Sequence, residues 1–182
     1  MSVGFSIKKV QSSYLPWYNI NQIAFLQERL DKLKTFDVFE YGGGASSLYY
    51  LPIVKSLCLS ESREEWFNFV KSNADKDHLC KLNAKHITKD FAASISLFDK
   101  LFDLIVVDSN DRAKCLDYAV SYLKPDGWII LDNSERQNLV AAKQKLIDCG
   151  FKSLDFCGKK PQDADNADAE VSYSTIFTKG TF

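Results

Sequence analysis

Apolar positions along the chain change their period several times, and each change marks an element. Over residues 19–33, Ile23, Leu26, Leu30 and Leu33 recur at helical spacing, which predicts a surface helix with Asn19 or Asn21 as its N-cap. The pattern then shortens to Phe36-Asp37-Val38-Phe39, a strand that the following glycines terminate. Residues 54–59 predict a second strand, and the polar Ser60-Glu61-Ser62 opens a helix carrying Trp66, Phe67 and Val70. A weaker strand over 82–88 ends at Asp90. Residues 102–107 form the clearest strand, a β-branched run with apolar neighbours on both sides, the pattern of burial on both faces.

The next helix places Ala113, Leu116, Ala119 or Val120, and Leu123 on one stripe, and Lys124-Pro125-Asp126-Gly127 predicts a turn. Residues 128–131 are another buried strand. A helix with Leu139, Ala142, Leu146 and Cys149 on one face follows, with Gly150 placed as its C′ residue. Residues 151–157 and 173–178 read as two final strands. Only the polar, acidic stretch 159–170 lies between them, so they are expected to pair antiparallel across a long loop, a surface connection rather than a substrate lid. Strands alternating with helices predict a three-layer α/β fold with a mostly parallel seven-stranded sheet, right-handed crossovers and an antiparallel last strand. A chain of 182 residues accommodates one domain, 1–182, with a helical segment over 1–35 and the core over 36–182.

Composition narrows the function classes. The 23 basic and 24 acidic residues nearly cancel, and no basic block interleaved with aromatics provides an electrostatic footprint for nucleic acid. The five cysteines are scattered and form no CxxC pair, as in a reduced chain without a zinc ribbon. Lys8 and Lys9 are followed by no apolar run, and no stretch approaches the roughly 20 apolar residues needed to span a bilayer. A cytoplasmic protein without a membrane partner is expected.

The chain has only 8 glycines, and three are consecutive in EYGGGASS, residues 40–47. In an open α/β sheet ligands bind at the carboxyl ends of the strands, and this is the first strand-to-helix turn. Glycines there permit positive φ and let a ligand approach the backbone. Taken alone, the turn equally suits close packing. Acids recur at the predicted strand ends, however: Glu40, Glu61, Asp90, Asp108 and Asp132 follow the first to fifth strands in order. Any one of them could cap a helix; five in register point to a site.

With these residues in view, the chain resembles the class I S-adenosylmethionine-dependent methyltransferases over residues 36–177. Glu40, Gly42 and Gly44 match the family's first motif of an acid, any residue, then Gly-x-Gly, with Ser46 where many members carry a third glycine. Within the family it is most similar to a loosely characterised branch, through Val107-Asp108 with Arg112, residues 127–134 (GWIILDNS), and the final Ser174-Thr175-Ile176-Phe177. The resemblance implies a Rossmann-like methyltransferase fold and S-adenosylmethionine as cofactor. It implies that Glu61 accepts the ribose hydroxyls, that Gly42, Gly43 and Gly44 pass beneath the methionine portion with Tyr41 also in the cofactor site, and that Glu40 orients the amino group. Ser62, Asp90 and Asp108 would complete the cofactor site, and Ser46 would either bond the cofactor or cap the helix. The runner-up cofactor is a nicotinamide dinucleotide, imitated by Gly42-x-Gly44-x-x-Ser47 with Glu61 beyond it. Against it, Glu40 would face a pyrophosphate, and the third glycine is missing.

Methyl transfer requires an acceptor held in line and, where needed, relieved of a proton. Asp108 is the first expected base, Asp132 the second; His86, farther off, reads as structural. Arg112 and Asn133 are candidate substrate contacts, although Arg112 could instead pair with Asp108 or Asp111. Asp108, Asp132 and Asn133 also fall where catechol-type methyltransferases hold magnesium, but Ser109-Asn110-Asp111-Arg112 lacks that group's downstream spacing, so a divalent metal is not favoured. Asp132 and Asn133 could alternatively cap the next helix. Tyr14, Trp17 and Tyr18 read as core aromatics rather than a pocket cover. The expected acceptor is a small molecule, a sugar or other metabolite; a catalytically silent binding module and an oxidoreductase are the alternatives.

Overall fold

The computed structural model describes residues 14–182, so Lys8, Lys9 and the first part of the expected helical segment lie outside the described residues. The strands are β1 (Asp37–Tyr41), β2 (Ser56–Glu61), β3 (Leu82–His86), β4 (Phe102–Val107), β5 (Leu123–Asp132), β6 (Lys152–Gly158) and β7 (Ser172–Thr178). They form one sheet in the order β3-β2-β1-β4-β5-β7-β6. Strands β1 to β5 pair in parallel, and β7 runs antiparallel to both β5 and β6. The strand order reverses between β1 and β4, which places a crevice at the carboxyl ends of those two strands.

The alternation of side chains along each strand produces the layers. Val38, Leu57, Leu104, Val106, Trp128 and Ile130 face a layer built by α1 (Ile20–Gln27), α2 (Leu30–Leu33) and α3 (Ala45–Tyr50). Phe39, Cys58, Ile105, Val107, Ile129 and Leu131 face the opposite layer, where α5 (Arg112–Tyr122) and α6 (Val140–Asp148) contribute Cys115, Leu116, Ala119 and Leu146. The helix α4 (Glu64–Asn73) covers β2 and β3 through Val70. Residues 104–107 of β4 and 128–131 of β5 are thus buried on both faces, which is why these stretches are unbroken apolar runs.

Three local expectations change. The first predicted helix is two, because Arg29 leaves helical geometry (φ −115°, ψ 22°), donates to the Phe25 carbonyl at 3.1 Å and covers the Phe25 ring. Leu26 and Leu33 both bury fully on either side of that break, and Asn19 caps α1 by accepting from Gln22 N–H at 2.9 Å. The predicted turn at 124–127 is an irregularity inside β5: Phe102 pairs with Leu123 but Leu104 with Trp128, so Leu123 begins a strand rather than ending a helix. Cys149 is exposed rather than on the buried stripe. Gly150, at φ +87°, fulfils its expected role: its N–H bonds Ile147 and that of Phe151 bonds Leu146, a Schellman ending with Phe151 and Leu146 both buried.

At the amino ends of the central strands Asp37 is held by Ser56 at 2.6 Å, Lys55 at 2.9 Å and Lys100 at 3.3 Å, with Lys124 at 3.5 Å. Burial pushes its pKa up, but the Ser56, Lys55 and Lys100 bonds outweigh it and hold the carboxyl well below the usual carboxylate range. A lowered folded pKa contributes stability that is complete above the unfolded value, near 4, and is lost as pH falls through the native value. Asp37→Ala should therefore lower stability at pH 7 by about 1–3 kcal/mol, as for lost hydrogen bonds to a charged group. The difference from wild type should shrink below about pH 4. Urea unfolding at both pH values measures it; an unchanged difference at acid pH would contradict the assignment.

Candidate cofactor site at the carboxyl ends of the strands

The glycine turn closes β1 against β4. Gly42 adopts φ +88° and donates to the Ser60 carbonyl at 2.9 Å, while Asp108 N–H bonds the Tyr41 carbonyl at 2.9 Å. A Cβ on Gly42 would lie 2.0 Å from the Asp108 carbonyl oxygen, so no side chain fits between the two strand ends. Gly43 donates to Glu61 Oε2 at 2.7 Å, and Gly44 donates to Ser47 Oγ at 3.1 Å as the chain enters α3. Glu61 accepts a second backbone bond, from Arg63 at 2.7 Å, which fixes its buried carboxylate at the end of β2.

Two adjoining cavities, of about 200 and 190 Å3, share Gly42, Glu61, Arg63 and Asp108. The first also takes in Gly43, Gly44, Ser46, Asp132 and Asn133. The second takes in Ser62, Arg112 and Arg136. Most of the residues expected from the sequence are therefore brought together. Tyr41 is not: one strand position after Glu40, it points into the opposite layer and donates to the Ala92 carbonyl at 2.7 Å. Asp90 lines neither cavity; it is exposed, at φ +49°, several residues beyond the short β3. His86 lines neither cavity either and stacks on Phe67, with Nε2 3.1 Å from the Ser62 carbonyl oxygen.

Glu40 takes a place the sequence did not suggest. It is fully buried beneath the turn, and each carboxylate oxygen accepts from one serine, Ser46 or Ser47. Ser46 thus lines the cavity but spends its hydroxyl on Glu40 rather than on a helix cap. Burial raises the Glu40 pKa to about 8 despite the two serine bonds.

A buried guanidinium organises the other side. Arg112 donates to Asp108 Oδ1 at 2.5 Å, to Asn133 Oδ1 at 2.8 Å and to the Ser109 carbonyl, and lies 3.8 Å from Asp132 Oδ2. Asp111 pairs with Lys114 instead. Arg112 is accordingly committed within the protein rather than free for an acceptor. Asn133 reaches it from φ +50° and is shared with Arg136 at 3.0 Å. Asp132 is 7% exposed, and its Oδ1 has no hydrogen-bond partner. Burial, then the Asp108 charge, push its pKa up to about 7 against the opposing charge of Arg112. Asp108 is likewise raised by its partly desolvated position, with Arg112 opposing.

The same geometry tests the metal reading. The guanidinium already occupies the position between Asp108 and Asn133 that a cation would take, and among the described residues no group of three or more His, Cys, Asp or Glu could hold a metal ion. These residues do not fit a divalent metal.

Six residues lining the first cavity were missed or assigned elsewhere: Trp17, Tyr18, Ala45, Arg63, Trp66 and Lys160. Tyr18 is buried as expected yet also lines the cavity, whereas Trp17 is 56% exposed and belongs to the rim rather than the core. Arg63 and Trp66, two and five residues past Glu61, could have been inferred from that strand end. Lys160 carries no sequence signal. It arrives because the start of the 159–170 loop is tied to α1, Ile20 N–H bonding the Lys159 carbonyl at 2.9 Å and Asn21 Nδ2 the Cys157 carbonyl at 2.7 Å. The loop is thus more than a surface connection.

This strand order, with β7 inserted antiparallel between β5 and β6 and the glycine turn facing Glu61, is the class I S-adenosylmethionine-dependent methyltransferase fold. No family model matches the chain, and a comparison with curated proteins returns no match. Solved structures do share the fold. A SAM-dependent O-methyltransferase from Thermotoga maritima superposes with TM-score 0.67 at 20% identity, over 95% of this chain and 69% of that one. A precorrin-6y C5,15-methyltransferase from Geobacter metallireducens gives 0.63 at 17%, over 93% and 94%. An O-methyltransferase from Streptomyces achromogenes in complex with SAM gives 0.62 at 13%, over 84% and 77%.

Gly42→Ala should be severely destabilising, because the left-handed backbone and the Asp108 carbonyl both reject a Cβ; a loss of at least about 2 kcal/mol is expected. Gly150→Ala is the control: it has positive φ but open space, so its cost should stay near 1 kcal/mol. Chemical denaturation of both variants measures the contrast.

Proposed function

We propose that this protein is an S-adenosylmethionine-dependent methyltransferase acting on a small-molecule acceptor. The observation that carries the reading is Glu61: a buried carboxylate at the carboxyl end of β2, oriented by two backbone N–H groups beside the Gly42–Asp108 contact. A carboxylate so held suits a vicinal pair of ribose hydroxyls. Gly42, Gly43 and Gly44 leave room for the amino-acid half of the cofactor, and the acidic floor of Glu61, Asp108 and Asp132 complements a sulfonium. Glu40 acts beneath the turn, fixing Ser46 and Ser47. Bound S-adenosylmethionine supplies an electrophilic methyl group whose leaving thioether needs no acid.

The remaining task is to place the acceptor and remove its proton. Asp132 is the better base. Asp108 gives Oδ1 to Arg112 at 2.5 Å, whereas Asp132 lines the same cavity, lies 3.8 Å from Arg112 and has a buried Oδ1 without a partner. With S-adenosylmethionine bound, Asp132 would accept the proton that the acceptor's oxygen or nitrogen gives up on methylation. Arg112 holds Asp108 and Asn133 in place and moderates the repulsion between the two carboxylates. The unpartnered Asp132 oxygen favours an active enzyme over a silent binding module.

Calorimetry should show S-adenosylhomocysteine binding, weakened at least about tenfold by Glu61→Ala, as expected for loss of a charge-assisted pair of bonds. Heat with neither S-adenosylmethionine nor its product would rule the function out. Asp132→Asn should leave that affinity intact and lower turnover by about 10²–10⁴. A base must be deprotonated, so wild-type turnover should climb as pH rises through about 7 and then level off. Turnover falling across that range would exclude Asp132 as the base.

A further inference from the structure

The rim of the first cavity, which Asp132 and Lys160 line, differs in character from its floor. Trp17 and Trp66 meet edge to face at 5.7 Å between ring centroids, forming a corner at the mouth. Each indole carries a cation: Arg63 lies 5.5 Å from the Trp66 ring centroid, and Lys160 Nζ 5.7 Å from that of Trp17. Half-buried Lys160 forms no ion pair with a described residue, and Arg63 has only the exposed Glu65, at 3.8 Å. Asp132 and Asn133 line the same cavity as Lys160, and the charge of Lys160 acts on both Asp108 and Asp132. Lys160 is absent from the adjoining cavity that holds Ser62 and Arg136 on the far side of Glu61.

We propose that Lys160 and Arg63 bind an anionic group on the acceptor, a carboxylate or phosphate, while the Trp17–Trp66 corner packs the planar or apolar body that carries it. The inference rests on the methyltransferase reading and names its substrate class. An anion brought toward Glu61, Asp108 and Asp132 would be repelled by the floor alone; two cations positioned on aromatic faces reverse the sign of the field at the mouth. The arrangement also orients. With its anion at the rim, the acceptor directs its opposite end toward Asp132, where the proton must leave. Rim cations held on indoles rather than by carboxylates need break no strong ion pair when an anion arrives. An uncharged acceptor would leave them without a role, and a cationic one would be rejected at the mouth.

The test uses the full chain saturated with S-adenosylhomocysteine and titrated in a calorimeter with 4-hydroxybenzoate, phenyl phosphate and phenol. At least one anion should bind about tenfold or more tightly than phenol, a difference of about 1.4 kcal/mol. That preference should weaken as salt rises. Lys160→Met should abolish it, Lys160→Arg should retain it, and both variants should bind S-adenosylhomocysteine within about twofold of wild type, since Lys160 lies at a half-buried loop start outside the core. Anions binding no better than phenol to the wild type would overturn the proposal. So would a Lys160→Met loss expressed equally in S-adenosylhomocysteine affinity, which would assign the lysine to the cofactor's own carboxylate. Failure of the wild type to bind S-adenosylhomocysteine is a different result and removes the underlying methyltransferase reading instead.

Discussion

A single buried guanidinium reconciles what the carboxyl edge of this sheet must hold. Arg112 sits in the first turn of α5 with Asp108, Asn133 and the Ser109 carbonyl bonded to it and Asp132 beside it. Without it, β4 and β5 would end in two carboxylates facing each other in a partly dry crevice, an arrangement that forces protonation or separation. With it, Asp108 is paired and Asp132 is left with one free oxygen. The same residue excludes a metal by occupying its place, and it leaves Asn133 in a left-handed conformation shared with Arg136. The chemistry available at this edge follows from that one charge.

The opposite wall of the crevice depends on close approach rather than charge. Gly42 must be glycine because its would-be Cβ coincides with the Asp108 carbonyl, and that contact holds the ends of β1 and β4 in register. Glu40, directly beneath, is a buried acid whose oxygens are satisfied by Ser46 and Ser47. Ser46 stands where a third glycine would in the commoner motif. The two serine hydroxyls offset part of the desolvation of Glu40 and fix the first turn of α3, a short helix with little capping of its own.

How much of this was legible follows from the range of the interactions involved. The sheet, its two buried faces and the register of acids at strand ends came from local periodicity, because the central strands carry few polar positions to blur them. The Schellman ending at Gly150 was readable for the same reason: every atom in it lies within six residues. The break at Arg29 and the irregularity at 124–127 were not, since the first depends on a side chain turning onto Phe25 and the second on a register set by β4. In the site, Glu61 and the glycines were legible through motif spacing. Tyr41 was misplaced although strand parity with Glu40 already assigned it to the opposite face. Asp90 was misplaced because β3 is shorter than its apolar pattern suggested.

Lys160 marks the limit of such reading. It is an ordinary lysine in a polar loop, and its position depends on bonds from Ile20 and Asn21, nearly the whole chain away, that draw the loop onto α1. Trp17 reaches the rim from the same N-terminal side, so one tertiary contact delivers both the aromatic face and the cation on it. The floor of the cavity is built from strand ends that the fold supplies; the rim joins Lys160 of the loop and Trp17 of the leading segment to Arg63 and Trp66 at the start of α4. The floor residues lie at strand ends that motif spacing marks and the rim residues do not, so the mouth of the cavity is the part its periodicity says least about.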